Sequence, residues 1–324
     1  MYKQYYGLQR NPFELTPDSE VLFLSEVHKE GLATLKYGII SNKGFLLLTG
    51  GVGTGKTTLI NVLVKSLKPS VKVCVLSNPI LAASEFLYFL ASKLGLPNFE
   101  NKVKFLQDFS EMLQKSYEDD SKILVIIDEA HVLPVELLEE IRLLSNLSGD
   151  GHNVLSIFLV GQPELLDRLA HERLLPLRQR IGIRFHLDTF TREDTEQYIH
   201  FRLNKAGAVN TGLFSEEAVR LIHLTTHGNP RLINILSDHA LLSGFAQEKL
   251  TVDEAIITEC VNELHLPGDT ATFDLLPLSQ DKGKKKRLVL VCVVLSLMML
   301  TVIFVFPDQL RSIGTTISKF LYKH

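Results

Sequence analysis

Gly44 to Thr58 reads GFLLLTGGVGTGKTT, and this stretch predicts the fold of the region around it. Its first part, Phe45 to Leu48, is a short apolar run that is typical of a buried parallel strand. The run leads into Gly50 to Thr57, which fits the pattern G-x-x-x-x-G-K-[ST], and an apolar pattern with helical spacing follows. A strand, a glycine-rich turn and a helix in this order are the context that the phosphate-binding P-loop requires.

The glycines of this motif let successive backbone N–H groups point inward at phosphate oxygens, and the positive end of the following helix adds to the attraction. Lys56 is expected to reach the β- and γ-phosphates of a nucleotide, and the hydroxyl of Thr57 to take one Mg²⁺ position. The predicted nucleotide contacts are Gly51, Val52, Gly53, Thr54, Gly55, Lys56, Thr57 and Thr58.

A second apolar run ends in two carboxylates: Lys122 to Ala130 reads KILVIIDEA. In the presence of a P-loop this pattern predicts that Asp128 helps to hold Mg²⁺ and that Glu129 polarises the attacking water, as in ATPases that activate water themselves. The sequence Asp-Glu-Ala-His also occurs in DEAH helicases. The chain has no room for the second RecA-like domain of those enzymes, so His131 is interpreted as a helix-entry residue.

Further candidates follow the next two predicted strands. Val154 to Val160 is an apolar strand, and Gln162 after it is predicted to contact the γ-phosphate or to order the water; the alternative is a loop amide that satisfies local backbone groups. Arg180, or secondarily Arg178, precedes the last strand and is predicted to reach a neighbouring subunit's γ-phosphate. A solvated basic turn is the alternative for both arginines.

Beyond residue 190 the pattern predicts helices only, and these would form a lid: Thr195–Ala206, Ser215–Leu224, Leu232–Phe245 and Thr251–Leu264. Arg231 is placed in the first turn of the third of these helices, where the helix dipole disfavours a cation. A residue placed against a local preference suggests function, and Arg231 is predicted to sense the γ-phosphate. At the other end, the lead-in with its helix Ser25–Ile40 either packs beside the adenine or forms a surface arm and a core helix.

Composition excludes several classes of protein. The 324 residues predict two domains or one with extensions, and a net charge of −3 gives no basic field for nucleic acid. The three cysteines are far apart, without metal spacing or a disulfide framework, which suits a reducing compartment.

Leu288 to Phe306 is an apolar run without charge, and about nineteen such residues nearly match the ~30 Å hydrocarbon core of a membrane. Five basic residues between Lys282 and Arg287 precede it, so the positive-inside tendency places the N-terminal side in the cytoplasm. ATP is cytoplasmic too, so both arguments favour an inner-membrane protein with a single span. The alternative is a buried core helix.

The ordered blocks GGVGTGKTT, LVIIDEAH, FLVGQPEL, LRQRIGIRFHL and HGNPRLIN together resemble the AAA+ ATPases of the general secretion pathway protein A (ExeA) type. Family relatives serve pilus biogenesis, exosortase or exopolysaccharide loci, and transposition. The resemblance covers roughly residues 1–264 and implies nucleotide contacts at the P-loop, Mg²⁺ and catalytic roles for Asp128 and Glu129, and a lid arginine at Arg231. Family members of the secretion type continue into a periplasmic peptidoglycan-binding domain, whereas about eighteen residues follow Phe306, so no such domain is predicted.

The sequence therefore predicts an α/β P-loop core with five parallel strands, a helical lid and one C-terminal transmembrane helix. The expected parts are residues 1–190 (core with lead-in), 191–265 (lid), 266–287 (basic linker), 288–306 (membrane helix) and 307–324 (periplasmic tail). The predicted function is a membrane-anchored, homo-oligomeric ATPase, using ATP and Mg²⁺, that drives or regulates assembly of an envelope secretion, pilus or exopolysaccharide-export complex. The alternatives are a nucleotide-gated scaffold with little hydrolysis and a DNA-handling helper ATPase.

Overall fold

A computed structural model describes residues 2–15, 23–77, 79–148 and 154–265. Within these ranges, five parallel strands form one sheet in the order β2-β3-β4-β1-β5. Because the order reverses next to β1, the carboxyl ends of β1, β3 and β4 meet at one edge of the sheet, where α/β proteins bind ligands. The strands are β1 (Phe45–Gly50), β2 (Val71–Leu76), β3 (Lys122–Ile127), β4 (Leu155–Gly161) and β5 (Ile181–Leu187).

Twelve α-helices accompany the strands in the described ranges, together with three 3₁₀ turns at Ala130–Val132, Ser145–Ser148 and Glu172–Leu174. The first eight helices belong to the half of the chain that forms the sheet: α1 (Tyr2–Tyr5), α2 (Glu26–Ile40), α3 (Lys56–Lys65), α4 (Ala83–Leu94), α5 (Lys102–Glu118), α6 (Val135–Leu144), α7 (Glu164–Leu169) and α8 (Leu175–Arg180). The last four follow β5: α9 (Arg192–Lys205), α10 (Glu216–Thr226), α11 (Pro230–Ala246) and α12 (Glu254–Leu264).

The central strands are buried on both faces, which explains why their sequences are continuous apolar runs. Successive side chains of a strand point to opposite faces, and the two faces have separate cores. Leu47 and Val125 pack in the core under α4 to α8, whereas Leu46 and Ile126 pack in the core under α2 and α3. This double burial holds the strand ends, and therefore the loops that follow them, in fixed positions.

The four helices after β5 pack around a third core, and residues 2–15 pack into the same core. Phe13 is buried there and contacts Phe214 edge to face, while the backbone N–H of Gln9 donates to the carbonyl of Ala206 at 2.8 Å. The sequence did not predict that residues 2–15 would pack on the helical bundle.

Most predicted elements are present within a few residues of their expected ends. Helix α6 ends at Leu144, and the 3₁₀ turn Ser145–Ser148 follows it. The short helices α7 and α8 were not predicted from the sequence. Among the described residues, no helix is both long and apolar enough to cross a membrane, and the predicted span 288–306 lies outside those residues.

Candidate functional site

The P-loop connects the end of β1 to the first turn of α3 in the way that its sequence predicts. Gly53 and Gly55 have φ values of 77° and 99°, in the left-handed region that glycine adopts without strain. Lys56 begins α3, and its buried ammonium donates to the carbonyls of Gly50 at 2.9 Å and Gly51 at 2.8 Å. Burial lowers the pKa of Lys56, and the nearby carboxylates of Glu129 and Asp128 oppose that shift. The lysine is therefore held at the mouth of the loop, where phosphate oxygens would replace the carbonyls as its partners.

The two predicted Mg²⁺ residues meet beside this loop. The Thr57 hydroxyl donates to Oδ2 of Asp128 at 2.7 Å, and the backbone N–H of Glu129 donates to Oδ1 of the same carboxylate at 2.9 Å. A hydroxyl and a carboxylate oxygen on converging sites are the donor types that Mg²⁺ takes alongside phosphate oxygens and water. The residues present therefore fit the ion.

Glu129 follows the buried end of β3 in a left-handed conformation, with φ 54°. Such a conformation is uncommon outside glycine and is concentrated at functional sites. The Glu129 side chain is 43% exposed and lines the same cleft as Lys56 and Thr57. The carboxylate is thus free to meet a water molecule in the cleft.

The first turn of α11 closes the cleft from the side of the helical bundle. The Asn229 amide donates to the Val52 carbonyl in the P-loop at 2.7 Å, while its Oδ1 accepts from the backbone N–H of Arg231 at 3.0 Å. A Cβ added to Gly53 would lie 2.7 Å from Cβ of Arg231 and 2.8 Å from Oδ1 of Asn229. Only glycine therefore allows this close approach of the bundle to the P-loop, which brings Arg231 to the cleft wall.

The far end of the cleft is aromatic. Phe23, Phe190 and Tyr198 contact one another there, with ring centroids 5.2 to 5.6 Å apart, and Arg202 lies beside them. The whole cleft measures about 480 Å³. Apolar rings at one end and phosphate-binding groups at the other suit a purine nucleoside triphosphate.

His28 joins the lead-in helix to the P-loop. Its Nδ1 lies 2.8 Å from the Ser25 hydroxyl, its ring hydrogen-bonds the backbone of Thr54, and a Cβ on Gly55 would lie 2.9 Å from its Nε2. Burial lowers the pKa of His28. The ring is therefore a neutral support under the loop.

Residues 39–169 match the family model described as "AAA domain". The chain is also 38% identical to general secretion pathway protein A of Aeromonas hydrophila over 250 residues. Residues 39–169 therefore form an AAA domain. The predicted resemblance to the general secretion pathway protein A type is confirmed, and the AAA domain supports the predicted class of enzyme, a P-loop ATP hydrolase.

Several solved structures have the same fold. The ORC2 protein of Aeropyrum pernix is 19% identical with a TM-score of 0.56, over 79% of this chain and 72% of the other. Cdc6p of Pyrobaculum aerophilum is 16% identical with a TM-score of 0.58, over 76% and 71% of the two chains. The RuvB motor of Thermotoga maritima is 20% identical with a TM-score of 0.52, over 80% and 75%.

The match to the Aeromonas hydrophila protein covers 76% of this chain but 45% of that one. The chain thus spans about half the length of this curated relative.

Gln162 follows the end of β4 and lines the same cleft as Arg231. Its side-chain nitrogen is 3.0 Å from Nε2 of His131, and Nδ1 of that ring is 3.4 Å from Oε2 of Glu129. The interpretation of His131 as a mere helix-entry residue was therefore incomplete. The ring lies in the 3₁₀ turn Ala130–Val132, but it also connects two predicted site residues.

The two candidate arginines lie elsewhere on the surface of the AAA+ fold. Arg178 and Arg180 are exposed at the end of α8, and neither lines the cleft. Arg180 donates to Oγ of Ser145 at 2.9 Å and also to Asn146, and the Arg178 carbonyl accepts from Arg184 at 3.1 Å. A residue that acts on a neighbouring subunit has to lie away from its own chain's cleft. The role of Arg180 or Arg178 at a neighbour's γ-phosphate stays a prediction.

Phe23 and Phe190 of the aromatic end were not predicted from the sequence, and the same holds for four other contributors: His28, Tyr198, Arg202 and Asn229. Asn229 precedes a proline at the start of α11, the pattern of an N-cap, and this signal could have marked it. The other three lie within helical stretches whose partners are distant in the chain, and no local pattern marks them.

Proposed function

We propose that this AAA+ ATPase is anchored in the bacterial inner membrane and hydrolyses ATP to drive or regulate the assembly of an envelope secretion, pilus or exopolysaccharide-export complex. The observation that carries the ATPase part is the convergence of Lys56, the Thr57–Asp128 pair, Glu129 and Arg231 on one cleft. The similarity to a general secretion pathway protein supports the envelope part.

The arrangement of the cleft supports a direct hydrolytic mechanism. The aromatic end would hold the base, and the P-loop N–H groups with Lys56 would hold the phosphates. Thr57 and Asp128 would hold Mg²⁺, which neutralises charge on the phosphate oxygens when it is bound. Glu129 would accept a proton from the attacking water, and Arg231 would contact the γ-phosphate from the bundle side.

Two sequence features support the membrane part of the proposal. The run 288–306 has the length and apolar character of a membrane helix, and the basic cluster 282–287 favours a cytoplasmic position for the ATPase. A homo-oligomer would let an arginine of one subunit, Arg180 or Arg178, complete the site of the next. The expected partner is an inner-membrane component of the envelope system.

One contact favours a second candidate function, a nucleotide-gated scaffold with little hydrolysis. The Asn229–Val52 hydrogen bond links the bundle directly to the P-loop, so nucleotide binding alone could change the position of the bundle. Turnover separates the two functions, because a scaffold would change its assembly state with ATP without consuming it.

The decisive experiment measures steady-state ATP hydrolysis and ATP binding by the purified full chain. Glu129→Gln should keep ATP binding but lower turnover at least ~100-fold, the scale of losing a general base. Lys56→Ala should lose ATP binding. Unchanged turnover in Glu129→Gln would remove Glu129 from the mechanism, and wild-type protein that binds ATP without hydrolysing it would favour the scaffold. Fractionation of cells into membrane and soluble parts tests the anchor.

A further inference from the structure

We propose that the side-chain NH₂ group of Asn234 donates a hydrogen bond to a ring nitrogen of the purine base, and that Tyr198 is a positioning residue that fixes this amide. The inference rests on the proposed function, because it concerns how the same cleft holds its nucleotide. The aromatic rings can stack on any flat base, whereas this polar contact makes the affinity depend on the atoms of the base.

Asn234 lies on α11, about one turn beyond Arg231. Residues three apart on a helix share one face, and their rise along the axis is about 4.5 Å. Arg231 lies against the P-loop, whereas Asn234 contacts Tyr198 at the aromatic end, and both residues line the cleft. One face of α11 therefore extends from the phosphate end of the cleft toward the base end.

Three side chains in a row fix the direction of each hydrogen bond between them. The Arg202 guanidinium donates to the Tyr198 hydroxyl oxygen at 3.1 Å, and the hydroxyl donates to Oδ1 of Asn234 at 2.8 Å. Arginine has only donors, and a phenol has a single hydrogen. Because the hydroxyl oxygen receives a hydrogen from arginine, its own hydrogen goes to the amide, and the amide atom that accepts it must be the oxygen.

The lead-in of the chain holds the first member of this row. The Arg202 guanidinium donates through Nε to the carbonyl of Pro12 and through Nη2 to the carbonyl of Glu14, the latter at 2.8 Å. Two carbonyls thus fix the plane of the guanidinium, and its remaining nitrogen, Nη1, meets the Tyr198 hydroxyl. The orientation of the amide therefore depends on packing between the lead-in, α9 and α11.

The amide nitrogen of Asn234 is the part of the row that is left for a ligand. The residue is 7% exposed, and Tyr198 is 6% exposed. Among the residues that the structure describes, none accepts a hydrogen bond from the Asn234 NH₂ group. A nearly buried donor without an acceptor is unfavourable, so a molecule in the cleft that offers an acceptor gains affinity. Adenine offers the ring nitrogens N1, N3 and N7.

The aromatic rings favour the base, rather than the ribose, as the partner of this amide. Tyr198 contacts Phe23 and Phe190, with ring centroids 5.6 and 5.2 Å apart. Bases stack on such rings, whereas a sugar has no π-face to stack. An amide that is bonded to the Tyr198 hydroxyl therefore lies at the edge of the base that these rings hold.

Calorimetric titration of the full chain with ADP and its 1-deaza, 3-deaza and 7-deaza analogues tests the contact. Each analogue replaces one ring nitrogen by C–H, and ADP avoids hydrolysis during the titration. In the wild type, one analogue should bind about five- to tenfold more weakly than ADP, the scale of one hydrogen bond. Asn234→Ala should bind ADP and that analogue with affinities within about twofold of each other.

Two conservative variants and a matched control complete the design. Asn234→Asp keeps the oxygen that accepts from Tyr198 and replaces the NH₂ group by a second oxygen. It should bind that analogue at least as tightly as ADP, because a carboxylate oxygen repels the lone pair of a ring nitrogen but not a C–H group. Tyr198→Phe keeps the ring and frees the amide to turn, so the affinity ratio should fall below about threefold. Asn262→Ala removes an exposed asparagine on α12 and should keep the wild-type ratio. A ratio of two affinities for one protein does not respond to a general loss of stability.

The inference is wrong if every deaza analogue binds the wild type as tightly as ADP, or if the deficit of the weak analogue persists in Asn234→Ala. It is also wrong if 2′-deoxy-ADP is the ligand whose deficit disappears in that variant, because the amide then contacts the ribose. Failure of the proposed function looks different. Wild-type discrimination among the ADP analogues without any turnover of ATP would keep the contact and refute hydrolysis. Turnover that Glu129→Gln lowers, without a deaza effect, would refute only the contact, and a wild type that does not bind ADP would refute both.

Discussion

The hydrogen bond from Asn229 to the P-loop yields a prediction whose size follows from its contacts. The side chain has two separate functions: its Oδ1 caps the N–H groups of Arg231 and Leu232 at 3.0 and 3.3 Å, and its NH₂ group donates to Val52 at 2.7 Å. Asn229→Ala removes both. Losing an N-cap costs about 1 kcal/mol, and losing a neutral hydrogen bond costs about 1 kcal/mol more.

Asn229→Ser separates these contributions. A serine hydroxyl caps a helix about as well as asparagine but is too short to reach the P-loop carbonyl. We therefore expect the free energy of unfolding to fall by about 2 kcal/mol in Asn229→Ala and by about 1 kcal/mol in Asn229→Ser. Since 1 kcal/mol is roughly a factor of five in an equilibrium constant, the equilibrium constant for holding the bundle against the P-loop should also fall about fivefold in the serine variant.

Urea denaturation of the two variants and the wild type measures the free energy of unfolding. Hydrogen exchange of the first amides of α11 (Pro230–Ala246) measures the cap separately. These N–H groups should stay protected in the wild type and the serine variant and lose protection in the alanine variant. If the serine variant is as unstable as the alanine variant, the contact with the P-loop contributes nothing to stability. If both match the wild type, neither contact contributes.

Three further predictions concern other parts of the cleft. Gly53→Ala should weaken ATP binding at least ~10-fold, because its φ of 77° strains alanine and a Cβ would collide with the first turn of α11; calorimetric titration measures this, and unchanged affinity would contradict the close approach. The free energy of unfolding should fall as pH drops from 7 to 5.5, because unfolded His28 takes up a proton near pH 6.5 whereas the buried ring has a lowered pKa. Urea denaturation at several pH values measures this fall, which should be smaller for His28→Gln. An equal fall in the variant and the wild type would contradict the prediction. In protein dilute enough to be monomeric, Arg180→Ala should keep the Kd for ATP within about twofold, because its guanidinium lies outside the chain's own cleft; a larger change in nucleotide titrations of the monomer would place it inside.

The elements that carry strong local signals could be predicted from the sequence. The strand β1, the P-loop and the start of α3 follow from one stretch, because glycine spacing and an apolar run leave few alternatives for the backbone. Asp128 and Glu129 follow from their place after a buried strand. These signals are local, so no knowledge of the packing was needed.

The parts that could not be predicted depend on contacts between distant segments. His131 looks like a turn residue until β4 brings Gln162 beside it, and His28 looks like one more helical residue until the P-loop lies against it. The helix α7 (Glu164–Leu169) has only six residues, too few for its periodicity to be recognised. Packing of residues 2–15 on the bundle likewise joins segments nearly two hundred residues apart.

The placement of Phe23 and Phe190 has a consequence for how the molecule can move. Their rings lie edge to face with centroids 5.6 Å apart, and Phe23 packs against the core of the bundle. The backbone N–H of Phe190 donates to the carbonyl of Gly228 at 2.9 Å, so the start of α11 is held at the same place. A purine seated against these rings would therefore contact the residues that hold Asn229 beside the P-loop, and binding of the base would be coupled to the position of the bundle.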